Sequence, residues 1–169
     1  MKYVVFDIET TGLDVASDRI VELAAVKVVD GKVVEEFEQL INPGVYIPSN
    51  VIAIHGITNE MVETAHLTGV VLNQFMHFIS DADFIIGHNA VRYDWPMIKH
   101  ECNRHFVKIP DVRLKDSIFS ARKRVRNLRS YSLKSLCSYF GIINESAHRA
   151  MSDVYATYKV YEAVMALEK

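Results

Sequence analysis

Asp7 and Glu9 stand two residues apart at the end of the apolar run formed by residues 2–8 (KYVVFDI). In an extended chain the side chains alternate, so both carboxylates lie on one face, close enough to share one ion. Two carboxylates leaving water together repel each other, and each is costly to bury alone. A divalent cation removes both penalties without protonating either group. An isolated Asp-x-Glu is equally satisfied if the strand ends at Phe6 and both acids stay solvated, so the chemistry needs partners elsewhere in the chain.

Asp153 is one such partner. In the helical pattern over residues 150–167, Val154, Tyr158, Tyr161 and Met165 form one stripe, widened by Val160 and Val164. At about 100° per residue, Asp153 falls roughly 200° from Met151, between Val160 and Val164, and so faces the core. Ser152, Lys159 and Glu162 occupy the wet face. A core-facing Asp is paired or binds a metal more often than it stands alone. His148 precedes the helix, on a loop where its ring is free to swing. A histidine before a helix is usually structural, whereas one beside a metal-binding acid is a candidate base. Asp94 follows His88-Asn89-Ala90 and precedes Trp95-Pro96. That setting suits a helix cap, but it also adds a fourth acid near the others.

Strands are expected over 2–8, 20–29 and 33–41, the last two joined by Asp30-Gly31, a dipeptide favoured in tight hairpins. Residues 43–56, with Pro43, Gly44, Pro48 and Gly56, read as loop, and Thr58 with Asn59 and Glu60 as a helix start. Helices follow at Leu67 to Ile79, 94–106, about 116–124, Ser132 to Phe140 and 150–167, with a short strand over Phe84 to Gly87. Strands in a meander and then alternating with helices predict an α/β fold, a mixed sheet flanked by helices. The four acids then meet at strand termini, where open α/β sheets form their crevice.

The chain's 169 residues suit one domain. No apolar stretch approaches the ~20 residues of a membrane span, and Tyr3 to Phe6 is too short for a signal peptide. Cys102 and Cys137 lack metal-type spacing and read as reduced thiols of a cytoplasmic protein. Net charge is −2, yet Ser117 to Ile143 contains no Asp or Glu and holds Arg122, Lys123, Arg124, Arg126, Arg129 and Lys134. Such a segment suits phosphate, and a solvated helix end and loop accounts for it equally.

Phe6-Asp7-Ile8-Glu9-Thr10-Thr11-Gly12-Leu13 resembles the first motif of the DnaQ-like 3′→5′ exonucleases, Gly87-His88-Asn89-Ala90 through Asp94 the second, and His148 through Asp153 the third in its histidine form. His55-Gly56-Ile57-Thr58 resembles a further segment of that family, and Asp116 sits where its members commonly carry another acid after the fifth strand. The likeness runs from about residue 3 to about residue 165, with the motifs in order. It implies a ribonuclease H-like, five-stranded mixed sheet, an antiparallel meander followed by parallel strands. It also implies two divalent cations, Mg²⁺ or Mn²⁺, on Asp7, Glu9, Asp94 and Asp153, with His148 accepting the proton of the attacking water. Thr10, Thr11, Gly12 and Leu13 would hold the terminal nucleotide, with Leu13 beside its base; His88 and Asn89 would shape the pocket floor, His55 would contribute, and Arg122 and Arg124 would contact phosphate.

His88 to Asp94 is six residues, where bacterial proofreading subunits usually have five, and this form is closer to the animal three-prime repair exonucleases. The chain also stops at Lys169 without the tail by which a proofreading subunit docks on its polymerase, which favours a stand-alone nuclease or nuclease module. The expected partner is the 3′ end of DNA, with a nucleoside monophosphate as product. An exoribonuclease of the oligoribonuclease or RNase T type shares these motifs, and a module that binds nucleic acid without cleaving it would be marked by a missing acid or histidine.

Overall fold

The computed structural model describes residues 1–167. Its sheet is built outward from β1 (Lys2–Thr10), with β2 (Ile20–Val29) and β3 (Lys32–Asn42) as an antiparallel meander on one side. After β3 come α1 (Ser49–His55), α2 (Asn59–Glu63), β4 (His66–Leu67) and α3 (Thr68–Ile79). The chain then crosses to the other side of β1 with β5 (Phe84–Gly87), α4 (Asp94–Arg104), β6 (Leu114–Asp116) and α5 (Ser117–Arg124), and ends with α6 (Leu133–Phe140) and α7 (Ala150–Ala166). The strand order is β4-β3-β2-β1-β5-β6, with β5 parallel to β1 and β6 parallel to β5. The expected α/β fold and mixed sheet are therefore present, and the two-residue β4 extends the five expected strands at one edge.

The two faces of β1 divide the core. Val4 and Phe6 pack with Phe75, Ile79, Met97 and Ile98 of α3 and α4, while Tyr3 and Val5 pack with Val154 and Tyr161 of α7. By alternation Asp7 and Glu9 continue the face that meets α7. The β2–β3 turn forms where expected, with Asp30 and Gly31 both at positive φ (49° and 77°), the backbone of a tight hairpin turn.

Three expectations change. Residues 43–56 are not all loop, because Ser49–His55 form a short helix. Pro48 is its N-cap and Gly56, at φ 75°, its C-cap, so two turn signals instead bracket a helix. On α7, Met165 is exposed, because the helix also packs on α5 and α6 and its second buried stripe is Ala156, Val160 and Val164. Glu162 and Ser152 are not simply solvated: Glu162 accepts a hydrogen bond from the Tyr3 hydroxyl, and Ser152 donates to Asn144. Cys102 and Cys137 are free and buried, as expected of reduced thiols. No described helix is long and apolar enough to cross a membrane.

Candidate active site

Asp7 and Glu9 reach the end of β1 on the face that α7 covers, and Asp153 comes from the first turns of α7. One carboxylate oxygen from each lies within 4.8 Å of the other two. Asp153 is held by two donors: the Asn144 amide reaches Oδ1 at 2.5 Å, and the His148 backbone N–H reaches Oδ2 at 3.0 Å. The expected freedom of His148 is thus confined to its exposed side chain. Its backbone is pinned to Asp153 and sits at φ 67°, a left-handed conformation uncommon for a residue with a side chain.

Asp94 arrives from the opposite layer. It is the first residue of α4, and it does not cap that helix; its Oδ1 accepts the Ile8 backbone N–H at 3.4 Å, bridging α4 to β1 between the other two acids. The loop before it is held by Asp116, which accepts the backbone N–H groups of Asn89 (2.8 Å), Val91 (3.0 Å) and Ile118 (3.0 Å). Asn89 itself has φ 58°, which an Asn tolerates better than most residues. Asp116 therefore shapes the loop while its own carboxylate is fully engaged.

A cleft of about 420 Å³ opens over these acids. Its lining includes Asp7, Glu9, Asp94, Asp153 and His148 together with Thr10, Gly12, Leu13, His88 and Asn89. Leu13 is 78% exposed at the rim, an apolar side chain held out to solvent. His88 is a hydrogen-bonded wall residue: Nε2 donates to the Tyr131 carbonyl at 3.0 Å, which leaves Nδ1 to accept from Ser117 at 2.8 Å. Burial lowers its pKa from the usual histidine value.

Other sequence candidates lie behind or outside the cleft. Thr11 is buried, donating to Asp18 Oδ1 at 2.8 Å and accepting from the Arg19 N–H at 3.0 Å. His55 is buried too: Nδ1 accepts the Ile57 N–H at 3.0 Å, so Nε2 donates to the Thr10 carbonyl at 3.2 Å. Both brace the segment after β1 from behind. Gly12 has a further reason to be glycine, since a Cβ there would meet the Asp18 carboxylate at 2.4 Å. Arg124 donates to the Leu167 carbonyl at 3.2 Å, while Arg122 lies over the Tyr131 ring at 5.9 Å. The sequence reading missed Tyr93, Ser132 and Leu133, which also line the cleft. Ser132 carried a signal, as a helix-start residue: it caps α6 by accepting the Ser135 N–H at 3.2 Å.

The electrostatics of the cluster are one-sided. Burial raises Asp7 well above the usual carboxylate range, and Asp94, Asp153, Glu9 and Glu22 push it further. Burial, then Asp153, Glu22 and Asp94, hold Glu9 at about 8, with Arg149 opposing. Burial likewise lifts Asp94 to about 7, against the pull of its own and the Ile8 backbone N–H groups. Clustered oxygen donors whose repulsion Arg149 and a few N–H groups answer only in part fit a hard divalent cation such as Mg²⁺ or Mn²⁺.

A family model described as exonuclease matches residues 4–161. The DNA polymerase III PolC-type protein of Pediococcus pentosaceus is 36% identical over 156 residues, 92% of this chain and 11% of that protein. The DNA polymerase III subunit epsilon of Aquifex aeolicus is 32% identical over 163 residues, 96% of this chain and 80% of that subunit. The chain thus spans only about a tenth of the PolC-type relatives. Among solved structures, E. coli Exonuclease I in complex with a dT13 oligonucleotide has a TM-score of 0.86 at 23% identity, covering 98% of this chain and 41% of that one; the likeness is of fold. Exonuclease X in complex with 5′ overhanging duplex DNA has a TM-score of 0.76 at 25% identity, covering 96% and 90%. With the family model matched over nearly its whole length, the chain belongs to the exonuclease family, in its DnaQ-like branch.

Proposed function

We propose that the 169 residues form one 3′→5′ exonuclease unit that removes nucleotides from the 3′ end of DNA, single-stranded or frayed, in replication proofreading or repair. The observation that carries this reading is the meeting of Asp7, Glu9 and Asp153 within 4.8 Å in a cleft that also holds Asp94 and His148. Relatives named as DNA polymerase III proteins, and a similar structure holding duplex DNA, support DNA as the substrate. The same names suit action beside a polymerase as well as alone, and the cytoplasm as the place of action.

Asp7, Glu9, Asp94 and Asp153 would hold two Mg²⁺ or Mn²⁺ ions, which when bound supply positive charge to the scissile phosphate and acidify water. The chain's own groups then do the rest. His148, exposed at the edge of the cleft, accepts the proton of the attacking water on its ring. Asn144 fixes which way Asp153 presents its oxygens. Leu13 stacks beside the terminal base, and Thr10 and Gly12 offer backbone close to the 3′ nucleotide. Asn89 and His88 form the wall opposite, and Thr11 and His55 act by bracing Thr10 to Leu13. With Arg124 engaged by Leu167, Arg122 is the stronger phosphate contact of the two. Contacts of this kind read backbone and terminus, so little base preference follows.

Digestion of matched single-stranded DNA, duplex DNA and RNA oligomers, each labelled at the 5′ end, tests the reading. Stepwise shortening of DNA from the 3′ terminus is expected, with nucleoside monophosphate released. Faster digestion of RNA would reassign the substrate, and cuts in a circular single strand would refute exonuclease action.

A further inference from the structure

Glu22 shares the face of the carboxylate cluster without being available to it. In the β1–β2 register it stands opposite Glu9, and directly opposed residues of an antiparallel pair project to the same side. It is completely buried, so its charge requires neutralisation. Its three donors come from the chain 127 and 128 residues later. Arg149 Nη2 reaches Oε1 at 2.8 Å, Arg149 Nε reaches Oε2 at 3.2 Å, and the Ala150 backbone N–H reaches Oε2 at 3.1 Å. The guanidinium therefore binds both oxygens in the planar, forked manner specific to arginine. Ala150 is the first residue of α7, so its N–H is one that the helix cannot satisfy itself.

These contacts bracket His148. On one side its own N–H is tied to Asp153; on the other, the next two residues are tied to β2 through Glu22. The left-handed His148 backbone at φ 67° is the hinge between the two ties. A residue in that conformation persists only where its surroundings over-determine it.

We propose that Glu22 and Arg149 are positioning residues, an ion-pair latch between β2 and the start of α7 that sets where the His148 ring stands over the cleft. The latch rests on the reading of His148 as the base, and it assigns Glu22 a role different from the neighbouring acids. Asp7, Glu9 and Asp153 face one another, whereas both Glu22 oxygens are spent on the latch.

The test compares Arg149→Ala, Arg149→Lys, Glu22→Gln and the pair Glu22→Gln with Arg149→Ala. Amide hydrogen exchange over residues 148–153 in the metal-free protein reports the latch, independently of activity. Oligonucleotide digestion supplies kcat, KM and the Mg²⁺ concentration for half-activation. Arg149→Ala should speed exchange by about tenfold or more. It should lower kcat roughly 10–100-fold, a range typical of residues that orient a site from behind, with KM and the Mg²⁺ requirement within about twofold. Arg149→Lys should recover part of kcat, and adding Glu22→Gln to Arg149→Ala should cost little more, because the two act as one unit. Removing Arg149 alone leaves a buried unpaired carboxylate; if that variant does not fold, Glu22→Gln with Arg149→Gln replaces it. A raised Mg²⁺ requirement in Glu22→Gln would make Glu22 a ligand and overturn the latch. Faster exchange with unchanged kcat would reduce the pair to a structural tie and overturn it equally. A wild type that digests nothing would sink the nuclease reading, while the exchange data would still say whether the ion pair holds residues 148–153.

Discussion

Glu101 and Asp7 are both carboxylates taken out of water, and their surroundings have opposite sign. Glu101, fully buried on α4, has Arg104 Nη1 at 2.9 Å, His105 Nε2 at 3.3 Å and Arg19 Nε at 3.9 Å. Asp7 has Asp94, Asp153, Glu9 and Glu22, all of which raise its pKa on top of burial. The first arrangement is a structural joint, with Arg104 donating to Oε1 while Oε2 keeps no hydrogen-bond donor: Arg104 and Arg19 also donate to the carbonyls of Ala16, Ser17 and Asp18, fastening the segment after β1 to α4. The second leaves its repulsion to be relieved by protons or by a cation from outside the chain. A carboxylate answered by cations of its own chain builds structure; one answered by further carboxylates is a place to bind a cation.

The contrast breaks most visibly under substitution. Asp7→Asn or Asp153→Asn should cut nuclease activity on the order of a thousandfold or more, because residues acting as one catalytic unit fail together. The metal-free Asp7→Asn protein should melt no lower than the wild type, since a repelled carboxylate has been removed; a fall of several degrees would mean that Asp7 holds the fold instead. Glu101→Gln should do the reverse, losing about 1–3 kcal/mol of stability as its cations lose their partner. Mg²⁺ should leave that loss in place, as a thermal melt with and without the ion will show.

A smaller effect follows from pH. Glu9 at about 8 and Asp94 at about 7 bind protons more tightly in the folded chain than in the unfolded one, where both titrate near 4. Between those limits the folded state carries more protons, so stability falls as pH rises. The melting temperature of the metal-free protein should therefore drop from about pH 5 to about pH 8, and saturating Mg²⁺ should flatten that slope. A metal-free melt that rises over the same interval would contradict the raised carboxylates.

Local periodicity made much of this site readable. Alternation placed Asp7 and Glu9 on one face, and helical phase turned Asp153 inward, because each depends on geometry a few residues long. The roles of Thr11 and His55 were not readable in the same way. Their orientation is decided by Asp18, seven residues on, and by the Thr10 carbonyl, 45 residues back. Arg149 gave still less sign of its place, since the carboxylate that fixes it lies 127 residues earlier. The short helix Ser49–His55 was hidden by its own caps: Pro48 and Gly56 suit a turn as well as a helix start and stop. Asp94 looked like a cap because Pro96 marks a first turn, and only the fold brings it to Ile8.

The most direct measurement follows a 5′-labelled single strand with a free 3′ end through a Mg²⁺ titration, with wild type and Asp153→Asn in parallel. A carboxylate cluster completed by cations predicts a ladder shortening from the 3′ end only when Mg²⁺ is present. It predicts no digestion in EDTA, and almost none by Asp153→Asn at any Mg²⁺ concentration. Undiminished digestion in EDTA, or full activity of Asp153→Asn, would contradict it.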